Sequence, residues 1–185
     1  MSATFDTHGP PDAELVGLAQ AGDRKALDRL VRRHNDVAWR VALSVVRDGD
    51  LAQDVVQTAW IKAVQGLSAF RGDAEFRTWL LSIVVNTGRS ELRSRGRHDE
   101  RSIDVVPELD DPSPAPDVLA LRGDEAARAR AALATLPEKQ RLSVELRINE
   151  GLSFREVGEA IGSSEGAARV NYHHGIRRLR EIIET

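Results

Sequence analysis

Residues 151–184 read GLSFREVGEAIGSSEGAARVNYHHGIRRLREIIE, and their pattern predicts two helices joined by a short turn. Ser153-Phe154-Arg155-Glu156 is a capping-box sequence: the serine oxygen can accept from the N–H three residues on, and the glutamate can accept from the serine's own N–H. The first helix therefore starts there, with Val157 and Ile161 on its inner face and Gly158 leaving a flat patch for close approach. Gly162-Ser163 makes the turn and Ser164 caps the second helix, on which Ala168, Tyr172, Gly175 and Leu179 recur at steps of four, three and four. That spacing puts them on one inward stripe.

The opposite face carries Glu165, Arg169, Val170, His173 and Arg177, with Asn171 and His174 at its margins. From Ser164 to Arg180 there are Arg169, Arg177, Arg178 and Arg180 against a single acid, Glu165. Such a helix can enter the major groove of DNA, where arginine hydrogen-bonds guanine and asparagine adenine, while later arginines reach phosphates. The competing reading is a solvated amphipathic helix whose arginines only confer solubility. Agreement of capping box, tight turn and stripe favours the groove. His173 and His174 point about 100° apart and have no second pair at suitable spacing, so no metal site is assigned.

The rest of the chain bounds what this helix can serve. The 185 residues, 41% hydrophobic and 30% charged, suit one or two small globular domains, and the 4% aromatic share with abundant Ala, Leu, Arg and Glu favours an all-α fold. Absence of cysteine excludes disulfides, thiolate catalysis and cysteine-ligated zinc. No apolar run reaches the roughly 18–20 residues of a membrane span, and the N-terminus has no signal pattern, so a cytoplasmic protein is expected. The net charge of −3 argues against bulk coating of nucleic acid.

Residues 1–11 read as a disordered tail. Helical pattern begins at Asp12, with Leu15, Leu18 and Ala19 as its stripe; Gly22-Asp23 breaks it and Asp23 caps a second helix carrying Leu27, Leu30, Val31, His34, Val37, Ala38, Val41 and Val45. Asp50 to Gln53 resembles another capping box, opening a helix whose inner face is Leu51, Val55, Ala59 and Ala63 or the neighbouring row with Val56 and Trp60, and Asp73 is placed to cap a fourth helix with Phe76, Trp79, Leu80, Ile83, Val84 and Thr87. These four make a bundle over 12–96. Residues 97–116 are acidic and proline-rich, a linker that could reach about 65–70 Å if extended. Helical pattern returns over 117–185: Val118 to Thr135, then Leu136-Pro137 and a helix through Leu142 and Leu146 to a glycine cap at Gly151.

The whole layout resembles bacterial sigma factors of the extracytoplasmic-function (ECF) group. The stretch LPEKQRLSVELRINEGLSFREVGEAIGSSEGAARVNYHHGIRRLRE is similar to the family's promoter −35 reading domain, and DLAQDVVQTAWIKAVQGLSAFRGDAEFRTWLLSIVVNTGRSELR to the domain that binds core RNA polymerase and reads the −10 element. The resemblance implies that Asp54 and Gln57 dock on the coiled coil of the polymerase β′ subunit. It implies that Phe70, Arg71, Gly72, Asp73 and Phe76 lie at or around a pocket for an unstacked base, with Asn86, Arg89 and Arg93 on the following helix. A flipped base does need a planar or apolar wall and a few polar groups, although Phe70, Phe76 and Trp79 can equally be core. At the −35 element the matching residues are Ser164, Glu165, Arg169, Asn171, His173, His174 and Arg177. An anti-sigma factor is an implied partner; no cofactor is implied. The acids of the linker, Asp99 to Asp111, fit either a phosphate mimic in polymerase channels or a solvated spacer.

This sequence departs from the family's pattern at Leu27, often aromatic; at Thr58, where glutamate commonly follows the glutamine; and at Ala167, Asn171, His173 and His174, which imply a different −35 sequence. Two other classes compete. A stand-alone regulator would need an apolar ligand cavity and a dimer on two half-sites. An enzyme would need a phosphate loop or a nucleophile–base constellation, and none can be placed.

Overall fold

A computed structural model describes residues 9–99 and 131–183 of the chain. The linker acids from Glu100 to Asp111 and the helix expected from Val118 lie outside the described residues, apart from a helical stretch over 131–135. The elements are α1 (Asp12–Gln20), α2 (Arg24–Val46), α3 (Gly49–Gly66), a 3₁₀ turn (Leu67–Ala69), α4 (Phe76–Asp99), α5 (Glu138–Ile148), α6 (Phe154–Ile161) and α7 (Glu165–Ile183). Among the described residues there is no strand.

Caps explain most boundaries. Asp23 accepts from the N–H groups of Lys25 and Ala26 at the start of α2, as its position after Gly22 predicts. Arg47 then ends α2 in the left-handed region at φ 60°. This early turn shifts the next start: Asp48, not Asp50, caps α3, with its carboxylate 2.7 Å from the N–H of Leu51. Nor does Asp73 cap α4, which begins at Phe76; its carboxylate instead pairs with Arg71 at 3.1 Å. In α1 the buried pair is Leu15 and Val16, while Leu18 faces outward at 42% exposure. The helix is too short for its stripe to fix the rotation, and α2 selects the face.

The α1–α2 contact is also polar. His34 is buried, with Nε2 2.6 Å from one oxygen of Asp12, while Arg33 Nη1 lies 2.6 Å from the other. Burial acts to raise the pKa of Asp12, but the hydrogen bonds from His34 and Arg33 outweigh it and hold the carboxyl below the ordinary aspartate value.

Helices α2, α3 and α4 wrap a core of Leu30, Val41, Val55, Ala59, Leu80 and Val84. α3 buries both of its candidate rows, Val56 and Trp60 as well as Val55 and Ala59, because α2 and α4 flank it. At Gly88 of α4 an added Cβ would lie 2.8 Å from Val45 Cγ1, so the two helices cross in close contact there. The core continues without a break into Leu142 and Leu146 of α5 and Val157 and Ile161 of α6. Each such side chain, fully buried, contributes about 1.5–3 kcal/mol. α7 packs on α5 through Gly175, whose Cβ would meet Val144 Cγ2 at 2.7 Å.

Candidate polymerase and nucleic-acid interfaces

The helix-turn-helix is α6 and α7. Ser153 accepts from the N–H of Glu156 at 3.2 Å, and its own N–H donates to Glu156 Oε2 at 2.8 Å. Hydrogen bonding from Ser153 holds the Glu156 carboxyl below the ordinary glutamate range. Gly162 ends α6 at φ +68°, and the N–H of Ser163 returns to the carbonyl of Gly158 at 2.8 Å. At Gly158 a Cβ would meet that turn's own backbone, 2.8 Å from the carbonyl oxygen of Ser163. The turn therefore requires glycine at position 158, a tighter constraint than a flat patch. Ser164 caps α7 by accepting from the N–H of Ala167 at 3.2 Å.

On α7, Ala168 and Gly175 are buried and Tyr172 is half-buried against Phe154, 5.4 Å between ring centroids. Glu165, Arg169, Val170, His173, His174 and Arg177 are exposed, and Asn171 is half-buried. The structure thus brings the groove-reading candidates onto one open face. Arg169 is held there: its guanidinium lies 4.9 Å above the ring of Phe154 and 2.9 Å from Glu165 Oε1. A cation stacked on a ring loses less rotamer freedom on meeting a base than a free one.

In the first domain, the loop between the 3₁₀ turn and α4 exposes Arg71, Gly72 and Asp73, with Gly72 at φ +77°. Phe70 is half-buried and tilted against Trp79 at 4.8 Å. Phe76 is only 4% exposed and sits behind them, 6.0 Å from Phe70 and 5.7 Å from Trp79. Phe76 therefore belongs to the core beneath the two rings rather than to the surface of the loop. Gln20 of α1 pins the loop, its amide donating to the carbonyls of Leu67 and Phe70, both at 2.9 Å. No local signal in the sequence points to Gln20, which acts across 50 residues. Along α4, Asn86 and Arg93 are exposed. Arg89 differs: half-buried, it donates from Nε to Glu138 at 2.7 Å and from Nη1 to the carbonyl of Ile161 at 2.9 Å.

Asp54 and Gln57 are both exposed on α3. The same row continues through Ile61 and Val64, which are 58% and 45% exposed. Two large apolar side chains left in solvent beside two polar ones form a mixed surface of the kind buried on association. Their spacing from Asp54 and Gln57 was the available signal, since residues 54, 57, 61 and 64 fall at helical steps.

Further contacts join α5 and α6 to the first four helices. Glu150, its side chain 5% exposed, pairs with Arg40 at 2.8 Å and Arg77 at 2.5 Å. Arg141 is buried, donating to the carbonyls of Ser44 and Leu136 at 3.0 and 2.9 Å. Burial and the nearby Arg47 lower its pKa. Among the described residues no group of acids and histidines could hold a metal ion, and no helix is long and apolar enough to cross a membrane.

Comparison with known proteins gives the same two parts in the same order. Residues 30–98 match the family described as Sigma-70 region 2, and residues 132–181 match Sigma-70, region 4. The chain is 35% identical over 183 residues to the RNA polymerase sigma-H factor of Pseudomonas aeruginosa, covering 94% of this chain and 92% of that one. It is 34% identical over 181 residues to the ECF RNA polymerase sigma-E factor of Escherichia coli, with the same coverage. Its fold is similar to that of the sigma factor RpoE from Bartonella quintana, solved in complex with the anti-sigma factor NepR, with a TM-score of 0.73, 25% identity, and coverage of 87% of this chain and 98% of that one. Helix-turn-helix, α3 face, aromatic loop and these likenesses together mean that the chain belongs to the ECF group of the sigma-70 family of RNA polymerase sigma factors.

Proposed function

We propose that this protein is a promoter-specificity subunit: it binds core RNA polymerase, directs it to −35 and −10 elements, and promotes melting of the duplex, with no catalysis of its own. The division of labour follows residues 12–96 for polymerase and the −10 element and 117–185 for the −35 element. The observation that carries this reading is the pairing, in one chain, of an open groove-reading face on α7 with a solvent-exposed Asp54/Gln57/Ile61/Val64 row on α3. Asp54 and Gln57, extended by Ile61 and Val64, dock on the β′ coiled coil.

Phe70 and Trp79, braced by Phe76, offer a planar wall to an unstacked base, with Arg71, Gly72 and Asp73 at its rim. Asn86, Arg89 and Arg93 lie on the adjoining helix toward the strand backbone. On α7, Arg169 and Asn171 read base edges, Val170 meets a thymine methyl, and Ser164, Glu165, His173, His174 and Arg177 complete the contact. An anti-sigma factor is the regulatory partner, and the site of action is the cytoplasm, where the polymerase works. A ligand-sensing regulator would use a closed apolar cavity; the cleft lined by Arg33, His34, Asp36, Val37, Arg40, Arg77 and Glu150 is open and charged.

Co-elution of Asp54→Lys protein with core polymerase tests the docking face. Loss of association with the helical circular dichroism unchanged is the expected result, and undiminished co-elution overturns it.

A further inference from the structure

We infer that α1 is a positioning element of the base pocket, with Gln20 as the residue that sets where Phe70 stands. This rests on the proposed function above, in which Phe70 and Trp79 form the wall for an unstacked base.

The two rings are held in different ways. Trp79 belongs to α4, and its ring lies against the end of α3, where a Cβ added at Gly66 would be 3.4 Å from Trp79 Cζ2. Phe76 beneath it is 5.5 Å from the ring of His34 and 6.5 Å from that of Trp60, so α2 and α3 fix the floor. Phe70 belongs to no helix. Its backbone is extended where the 3₁₀ turn ends, and Gly72 follows at φ +77°. The direction of its ring therefore depends on what anchors that short piece of main chain.

Gln20 is the anchor. A primary amide nitrogen carries two N–H donors, and the turn offers an acceptor to each: Gln20 Nε2 lies 2.9 Å from the carbonyl oxygen of Leu67 and 2.9 Å from that of Phe70. One such bond would leave the segment free to pivot, whereas two, at the start and the end of the turn, fix its orientation. Gln20 is itself carried on a fixed body. It is the last residue of α1, whose Leu15 and Val16 are buried and whose Asp12 lies 2.6 Å from Nε2 of buried His34. His34 is the ring that meets Phe76. Helix α1 thus reaches the pocket twice, through the backbone of Phe70 and through the floor beneath it. A wall already in place when the base arrives captures it at a lower ordering cost than a mobile one. The base preference of the pocket then depends on Gln20, which acts through Phe70 rather than on the base.

Gln20 is exposed, so replacing it opens no cavity. Gln20→Glu keeps the length and branching but has no N–H to donate, and Gln20→Met removes the donors without adding charge. With full-length protein, core polymerase and a random-promoter pool, both variants should lower the preference for the favoured base at one −10 position about tenfold. Co-elution and the selected −35 motif should not change. Leu18→Ala, an exposed substitution on the same helix, should leave the preference as it is. In the free protein, the Phe70 N–H donates to the Leu67 carbonyl at 3.1 Å, and its exchange with deuterium should be about tenfold faster in Gln20→Met. Unchanged exchange at Phe70, or unchanged base preference in both Gln20 variants, refutes the positioning role. Preference lost in Gln20→Glu alone would assign the effect to the added charge, and an equal loss in Leu18→Ala would assign it to the stability of α1; either overturns the inference. Wild-type protein that co-elutes with no core polymerase would refute the proposed function and the pocket with it, and faster exchange would then show only that Gln20 anchors the turn.

Discussion

Gly158 shows how a single residue can set the geometry of a site. Its missing Cβ lets the backbone of Ser163 and Ser164 fold to within 2.8–3.1 Å of where that carbon would lie. The obstacle is main chain, which cannot rotate away. Gly158→Ala should lower stability by about 1–3 kcal/mol and weaken −35-dependent transcription; thermal denaturation and promoter-pool transcription measure the two. Gly175→Ala meets a valine methyl at 2.7 Å, and a comparable loss in thermal denaturation is expected. Glycine was legible here as a site of close approach, but only the coordinates distinguish approach by a neighbouring helix from approach by the turn itself. Phe76 illustrates the limit from the other side. The family resemblance implies a place at or around a base pocket while leaving a core role open, and burial at 4% puts it in the core, because aromatic identity does not say which of three adjacent rings faces solvent.

Among the elements, α6 is the one most completely written in its own residues. Serine, glutamate three positions later, and a left-handed glycine after the last turn fix both ends. Ser153→Ala should cost about 1 kcal/mol, read as a shift in the denaturation midpoint. The pH dependence follows from Glu156. Its folded pKa lies below the ordinary value of 4.5, so the stability it contributes is present above that value and is lost as pH falls through the folded pKa. Asp12, held below 3.8 by His34 and Arg33 against its own burial, acts in the same sense at lower pH. Acid titration of the midpoint should therefore decline below about pH 4.5, more gently in Ser153→Ala; an identical slope in both proteins would count against the cap's role. For α7, Arg169→Ala removes a stacked, pre-positioned guanidinium. It should cut −35-dependent transcription while leaving polymerase co-elution intact, and unchanged promoter use would mean that another face of α7 enters the groove. The starts of α3 and α4 were less legible. Each lies near several acids that could cap, and the left-handed turn at Arg47 and the Arg71–Asp73 pair decide which does.

In the molecule as a whole, periodicity revealed helices, and the family's two motifs revealed their order. It did not reveal that α5 and α6 complete the core of the first four helices. Interior stripes name the buried residues without naming their partner, and the groups that fasten the joint, Arg40, Arg77, Arg89, Arg141 and Glu150, look in sequence like ordinary solvated charges. Only their pairing across more than 40 residues makes them structural. The same long reach applies to function. Asp54 and Gln57 are unremarkable as helix residues, and the docking role proposed for them rests on a partner outside the chain. The decisive measurement is therefore made with that partner: purified protein mixed with core RNA polymerase, followed by transcription from a random-promoter pool. Co-elution with initiation confined to a shared pair of upstream motifs is the expected result. Sequence-specific binding to duplex DNA by a protein that associates with no core polymerase would contradict it.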